Sequence, residues 1–186
     1  NEDIVKTGNP DLLIYPAVDF SAAWRKSIYV SNGKQTDLLS ISELSPDSAY
    51  TDALNALTKS LSHCSFEPDA PNFTPRISGC IREMENSKEP TVALSIIKRD
   101  TYKSVAREYY DFKLRDGKGK LISTYTGENK DPLPSFAGAP LDVEIGPSME
   151  DFAFKVWFTL NPEQRVSVAC VSLDGTSSVI NRNDKN

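Results

Sequence analysis

Apolar and polar residues are distributed along this chain in a pattern that predicts strands over most of its length and one helix. Between Tyr50 and Leu61, apolar side chains recur every three or four residues, with polar residues between them. This spacing places the apolar side chains on one face of a helix, which we expect at residues 46–63. Ser45 and Pro46 suit its start, because serine caps free N–H groups and proline needs no N–H partner at the first helical position.

Short apolar runs separated by turn residues predict antiparallel strands elsewhere. The Asn32-Gly33 pair favours a two-residue hairpin turn between strands at 27–31 and 34–41, because both residues tolerate positive φ. At 152–160 large apolar side chains alternate with other residues, which predicts a strand with one buried face. Further strands are expected at 77–84, 91–98, 103–114, 120–126, 141–145 and 165–173.

These elements together predict an α+β fold. We expect a mainly antiparallel β-sheet of about seven to nine strands, forming a curled sheet or small sandwich, with one amphipathic helix packed on one face. The 186 residues are 39% hydrophobic, which is enough for a single domain to bury a core. Residues 1–186 are therefore expected to form one domain, with a loose lead-in at 1–11 and a polar, frayed tail at 174–186.

Charge argues against a nucleic-acid or membrane partner. Twenty-six acidic and 21 basic residues give a net charge of −5, which opposes binding to polyanions. Residues 98–120 are locally basic, with aromatic residues among the charges, and two interpretations arise: a nucleic-acid platform, or the solvated outer face of a strand. The acidic remainder favours the second. No apolar run approaches the roughly 20 residues that cross a bilayer, so no membrane span is expected.

No motif for catalysis is present. The single histidine, His63, precedes Cys64, but neighbours on a helix point about 100° apart and do not face each other. Glycine-rich phosphate loops, a serine nucleophile elbow and zinc-type cysteine pairs are all absent from the sequence. The sequence therefore predicts no catalytic residue, no metal ligand and no cofactor. Carboxylates that meet only in the folded protein have no fixed spacing, so that class of hydrolase stays open.

Two of the three cysteines, Cys64 and Cys80, bracket a turn-rich loop. A disulfide between them would close a loop of about 17 residues and stabilise the fold by about 3 kcal/mol in the chain-entropy model. We predict this bond, with a Cys80–Cys170 bond as the rival connectivity and three reduced cysteines as the alternative to both. A disulfide indicates an oxidising compartment, so the expected location is the periplasm or the extracellular space.

Two loops are the predicted binding surfaces. Residues 128–149 are rich in proline and glycine, and loops of this length in compact domains are often functional. In this loop the residues expected to contact a protein partner are Asp131, Leu133, Ser135 and Phe136. Alternatively, Leu133 and Phe136 fold back to cover an open sheet edge. A second loop, between Cys64 and Cys80, contributes Phe66, Asp69, Asn72 and Phe73.

A rigid strand scaffold with projecting loops and no catalytic motif predicts a binding protein that is not an enzyme. Its most concrete form is an inhibitor or immunity-type protein of the periplasm or extracellular space, which binds a protein partner through its loops. Two alternatives are a hydrolase whose carboxylates assemble in space and a structural subunit of an envelope assembly. The sequence specifies neither the partner nor the oligomeric state.

Overall fold

The structure is a computed structural model that describes residues 15–22, 25–43 and 50–183. Its centre is a five-stranded antiparallel sheet in the order β1-β2-β3-β4-β5. These strands are β1 Val18–Ser21, β2 Ser27–Ser31, β3 Arg76–Met84, β4 Ser87–Arg99 and β5 Val105–Phe112. The expected class, α+β with mainly antiparallel strands, is confirmed. The number of helices and the arrangement of the strands differ from the prediction, as described below.

One face of the central sheet, here called the inner face, packs against helices. Tyr29, Cys80 and Ala93 are register partners across β2, β3 and β4, and all three are buried on this face. Helix α1 spans Gln35–Glu43 and helix α2 spans Ala53–Ser60. The core cluster that joins α1 and α2 to the inner face includes Leu39, Tyr50, Ala53, Ala56, Leu57, Leu61 and Ile97.

Helix α2 is shorter than the helix expected at 46–63. Its N-cap is Asp52, whose side chain accepts a hydrogen bond from Asn55 N. Asp52 thus takes the capping role that the sequence assigned to Ser45 for this helix. Residues 45 and 46 lie outside the described residues, as does the expected lead-in at 1–11.

The hairpin expected around Asn32-Gly33 is half correct. The first strand is β2, but Asn32-Gly33 leads into helix α1 rather than into a second strand. The Thr36 N–H donates to the Gly33 carbonyl and the Asp37 N–H to the Lys34 carbonyl, which starts the helix. Strand β3 takes the place beside β2, and the Asn32 side chain accepts a hydrogen bond from the Ile77 N–H of that strand.

The strand expected at 152–160 is wrong, because the segment lies within helix α3, Met149–Thr159. Ser148 caps this helix by accepting from Asp151 N. The buried residues are not those that the alternation placed on the buried face: Phe154 and Phe158 are exposed, whereas Ala153 and Trp157, which lie four apart on one helical face, are buried. With three helices among the described residues, the expectation of one helix is not confirmed.

Two hairpins complete the described chain. Strand β6, Lys118–Leu121, pairs with β7, Leu141–Glu144; strand β8, Ser167–Val171, pairs with β9, Ser177–Asn181. Nine described strands therefore divide between one five-stranded sheet and two hairpins. Strand β9 lies in the segment expected to be a frayed tail. None of the helices in the described ranges is long and apolar enough to cross a membrane.

The predicted disulfide is not formed: Cys64, Cys80 and Cys170 are all free thiols. Cys80 is buried within the inner face on β3. The Cys64 carbonyl instead accepts a hydrogen bond from Arg107 on β5, which lies two strands away from β3. The rival Cys80–Cys170 bond is absent as well, since Cys170 belongs to the separate β8–β9 hairpin.

Candidate functional site

Polar side chains converge where the turn after β2 meets the start of β3. Asn32 is at the centre of this cluster. Its Oδ1 accepts hydrogen bonds from Ile77 N at 2.8 Å and from Gln35 Nε2 at 3.2 Å. Its Nδ2 donates to the Pro75 carbonyl at 2.9 Å and to Thr124 Oγ1 at 3.4 Å. One amide therefore joins helix α1, strand β3 and a distant loop.

Arg76, the first residue of β3, is fixed by three groups. Its Nη1 donates to Gln35 Oε1 at 2.8 Å and forms an ion pair with Glu67 Oε1 at 2.8 Å. Its Nε donates to the Ser65 carbonyl at 2.9 Å. The Arg76 and Glu67 side chains are only 18% and 13% exposed, so this pair is largely removed from solvent. Removal of either partner would therefore leave an uncompensated charge in a largely buried position.

Glu67 has one carboxylate oxygen left over. Its Oε2 is buried and has no hydrogen-bond partner among the described residues. Burial raises the pKa of Glu67; the Arg76 guanidinium lowers it in part, and the nearby Asp69 raises it further. A carboxyl group with these properties binds a proton more readily than an ordinary glutamate, which suits it to carry protons in a reaction.

Gly33 makes this arrangement possible, because the side chains of Arg76, Gln35 and Glu67 pass very close to its backbone. A Cβ atom at this position would lie 2.3 Å from Arg76 Nη1 and 2.5 Å from Gln35 Oε1. It would also lie 3.3 Å from Glu67 Oε1. Any side chain at residue 33 would therefore displace the contacts that hold Arg76 and Glu67 together.

The two loops that the sequence nominated as binding surfaces meet beside this cluster. We call residues 65–75 the 65–75 loop and residues 123–138 the strap. Asn72 Oδ1 accepts a hydrogen bond from Leu133 N at 3.1 Å, and the hydroxyls of Thr74 and Tyr125 are 2.7 Å apart. The strap also contacts the cluster directly through Thr124 and Asn32.

Within the 65–75 loop, the nominated residues have structural partners. Asp69 accepts a hydrogen bond from Thr74 N at 2.6 Å and so closes the loop on itself. The rings of Phe66 and Phe73 form an edge-to-face pair with centroids 5.8 Å apart. Asn72 bonds to the strap rather than pointing freely into solvent.

Within the strap, the nominated residues divide between covered and exposed positions. Phe136 is only 6% exposed, and its carbonyl accepts a hydrogen bond from Lys98 Nζ at 3.0 Å. Ser135 forms an isolated bridge with Tyr125. Leu133 and Asp131 remain exposed. Phe136 therefore lies in the folded-back position that the sequence offered as an alternative.

Three arginines lie at this end of the inner face. Arg76 and Arg107 are register partners of the same residue, Ile97, on either side of β4. With strands about 4.8 Å apart, their Cα atoms are separated by roughly 10 Å. Arg99 lies over the ring of Phe73, 3.9 Å from its centroid. The exposed side chain of Arg107 is anchored by one N–H to the Cys64 carbonyl at 2.7 Å. Positive charge and aromatic surface are thus placed together next to Glu67.

Cys64 lies between two of these arginines, but its thiol is not activated. Burial raises its pKa, and the charges of Arg76 and Arg107 lower it only in part. A thiol with a raised pKa is a poor nucleophile near neutral pH. Cys64 therefore contributes to the site through its carbonyl, and His63 beside it is exposed. Among the described residues, no three His, Cys, Asp or Glu side chains are grouped closely enough to hold a metal ion.

The sequence did not identify Asn32, Gln35, Glu67 or Arg76 as site residues. Asn32-Gly33 has the composition of a hairpin turn, and Glu67-Pro68 that of a helix-breaking loop. The density of polar and turn residues at 65–75 directed attention to the loop that contains Glu67, although not to Glu67 itself. The other side depends on contacts between segments more than 40 residues apart, such as Gln35 with Arg76.

A largely buried carboxyl with a raised pKa, paired with an arginine that an amide holds in place and bordered by further arginines, has the features of a functional site. The chain belongs to the family of IMP cyclohydrolase-like proteins, which it matches over residues 2–177. No match was found among curated proteins or among solved structures.

The family match corrects the functional prediction. It covers nearly the whole chain and indicates an enzyme, so the prediction of a non-enzymatic inhibitor or immunity-type protein is wrong. The physical reason for the error is that the catalytic candidates are assembled from separate segments and form no local motif. The disulfide that supported an exported protein is absent. The predicted location and protein partner remain predictions.

Proposed function

We propose that this protein is an enzyme of the cyclohydrolase type, which opens or closes the six-membered ring of inosine monophosphate or a close relative at the site around Glu67. Opening the ring requires water to add to the carbon between the two ring nitrogens, after which one carbon–nitrogen bond breaks. The products of that step are a formamide and a carboxamide on the remaining imidazole. Ring closure is the reverse, with loss of water.

Glu67 is the residue we propose for proton transfer. In ring opening, its carboxylate takes a proton from the attacking water and returns it to the departing nitrogen; in ring closure the order is reversed. The observation that carries this role is the buried, unpartnered Oε2 together with a raised pKa. General acid–base catalysis works best when the pKa of the group lies closer to the working pH than that of an ordinary carboxylate.

Arg76, Gln35 and Asn32 are proposed as positioning residues. The amides of Gln35 and Asn32 are committed to hydrogen bonds within the protein, so they orient Arg76 and not the substrate. Arg76 in turn fixes Oε1 of Glu67, and Oε2, which has no partner among the described residues, is the oxygen that we assign to proton transfer. This order of support resembles the way that enzymes hold a catalytic group through neighbouring residues.

Arg107 and Arg99 are proposed to bind the phosphate group of the nucleotide. A guanidinium offers paired N–H donors that match phosphate oxygens. Arg107 is exposed and uses one nitrogen, Nη2, to reach the Cys64 carbonyl. Arg99 is held in place by the Phe73 ring. The rings of Phe66 and Phe73, which meet edge to face, add apolar surface of the kind that packs against a purine.

The direct test is an assay of the purified protein with IMP and, separately, with the ring-opened formamido-carboxamide ribotide. Because both compounds share the ribose phosphate and differ in the purine ring, ultraviolet absorbance and chromatography distinguish them. We expect interconversion that is first order in enzyme. A well-folded preparation that converts neither compound would contradict the proposal.

A further inference from the structure

A cavity of about 980 Å³ lies on the outer face of the central sheet, away from the Glu67 cluster. It is a half-open space between β2, β3, β4 and β5 on one side and the β6–β7 hairpin, α3 and β8 on the other. Ligand sites in proteins commonly have volumes of roughly 300–1,000 Å³, so the space is large enough for a sizeable small molecule. The floor of the cavity is formed by the end of the sheet opposite to the end that carries Asn32 and Arg76.

The wall of the cavity is largely apolar. One register row across the sheet, formed by Ile28, Ile81, Val92 and Phe112, makes the floor, and Val143 and Phe152 face it from the other side. Gly79 deepens the floor beside this row. A Cβ atom there would lie 2.9 Å from Val30 Cγ2 and 3.1 Å from Leu94 Cδ2, so the cavity has no room for a side chain at that position.

The mouth of the cavity is positively charged. Lys118 pairs with Glu144 at 2.5 Å and Lys120 with Asp142 at 2.6 Å, so these two lysines are neutralised by neighbours. Lys113 and Arg115 also line the cavity and are exposed, and the charge of Arg115 helps to lower the pKa of Asp142; Asp111 is the second acid of the wall. Four cations against two acids leave an excess of positive charge in the wall, which favours an anionic group over a cationic one at this opening.

We propose that this cavity binds an amphiphilic carboxylate, with its hydrocarbon chain against the floor row and its carboxylate at Lys113 and Arg115. The apolar wall accounts for the hydrocarbon part, because burial of each methylene is favourable and non-directional. The charged mouth accounts for the carboxylate, since Arg and Lys bind carboxylates through charge-assisted hydrogen bonds. The site is separate from the nucleotide site and does not depend on the proposed function.

The test is a binding titration of the full chain with saturated carboxylates of 8, 10 and 12 carbons, kept below their micelle concentrations. We expect saturable binding of one molecule per chain, and a dissociation constant that falls about fourfold with each added methylene. Dodecanol is the matched probe without charge, and we expect it to bind at least tenfold more weakly than dodecanoate. IMP is not expected to displace dodecanoate.

Charge reversal at the mouth provides the residue-level test. Lys113→Glu combined with Arg115→Glu is expected to weaken dodecanoate binding by at least tenfold. Lys103→Glu is the control, because Lys103 precedes the opposite end of β5 and lies outside the cavity wall. Ala169 is an exposed residue of β8 that lines the cavity. Ala169→Leu fills part of the cavity without changing the charge, so we expect it to weaken dodecanoate binding.

Several outcomes would overturn the proposal. These are the absence of saturable binding, a dissociation constant independent of chain length, and equal affinity for dodecanol and dodecanoate. Displacement of dodecanoate by IMP would show that the two sites are one. If the protein bound phosphatidylglycerol vesicles but not monomeric dodecanoate, the ligand site would be a surface that contacts membranes and not the cavity.

Discussion

Glu67 and Arg76 form an ion pair of 2.8 Å in which each residue comes from a different part of the fold. Glu67 belongs to the proline-rich 65–75 loop, whereas Arg76 begins the central strand β3. Gln35, from helix α1, bonds the same Nη1 atom of Arg76. The pair therefore exists only when loop, sheet and helix are all folded, and it ties the proposed catalytic group to the stable centre of the molecule.

Gly33→Ala should disrupt this pair without touching either partner directly. The added Cβ would overlap Arg76 Nη1 and Gln35 Oε1, so both contacts must move apart. We expect a loss of stability of about 1–3 kcal/mol, as for other overpacked sites, and a larger proportional loss of activity. Urea denaturation and the IMP assay measure the two effects. Gly146→Ala is the control, because the nearest atom to its Cβ would be 3.5 Å away; equal effects of both substitutions would contradict the close-approach argument.

Tyr110→Phe should loosen the strap. The Tyr110 hydroxyl donates to Glu108 Oε2 at 2.6 Å and approaches the Gly138 carbonyl at 3.1 Å. Burial, with the hydrogen bond to the Glu108 carboxylate and its negative charge, raises the pKa of Tyr110 to about 12, so the hydroxyl keeps its proton near neutral pH. Its removal should cost about 1 kcal/mol.

Hydrogen exchange measures this effect where it occurs. Amides at 123–138 should exchange faster in Tyr110→Phe than in the wild type, while those of β3 and β4 should not change. Tyr102→Phe, at an exposed tyrosine, is the matched control. Unchanged exchange in the strap would show that Tyr110 does not hold it.

Thiol counting tests the absence of a disulfide. Unfolded without reductant, the chain should give three reactive thiols, the number of its cysteines. In the folded protein the reaction should be slow, because Cys80 is buried and burial raises the pKa values of Cys64 and Cys170. If the unfolded chain gave one thiol before reduction and three after it, the predicted disulfide would be present.

The pH dependence of stability should show the burial of Glu67. A carboxyl whose pKa is higher in the folded than in the unfolded protein stabilises the fold most below its unfolded pKa, here 4.5. This contribution is lost as the pH rises through the folded pKa. Relative to Glu67→Gln, the wild type should therefore become less stable between pH 4.5 and neutrality, as measured by urea denaturation. A stability difference that stays constant over this range would mean that the pKa of Glu67 is not raised.

Strands could be predicted from the sequence where the residue pattern fits only one kind of secondary structure. The segments 77–84 and 91–98, in which apolar residues have β-branched neighbours, were correctly predicted to be strands. They form most of β3 and β4. The segment 152–160 has two solutions, because Ala153 and Trp157 share a helical face although the whole segment alternates like a strand. The cap at Ser148 and the acidic first turn decide for the helix, and they lie just outside the alternating run.

The site could be predicted only in part. The 65–75 loop was expected to be functional, and it supplies Glu67. Its expected role, contact with a protein partner, rested on the assumption that polar loops project outward. The structure instead directs the Glu67 carboxylate inward to Arg76, a contact set by the tertiary fold and invisible to local spacing.

The turnover number of Glu67→Gln with IMP as substrate tests whether Glu67 transfers the proton. Glutamine keeps the size of the side chain but cannot carry the proton, so kcat should fall by roughly 10²–10⁴-fold while IMP binding and cooperative unfolding are retained. Glu144→Gln, at an exposed and ion-paired glutamate, should turn over like the wild type. A Glu67→Gln protein that is folded, binds IMP and retains the wild-type kcat would contradict the central claim.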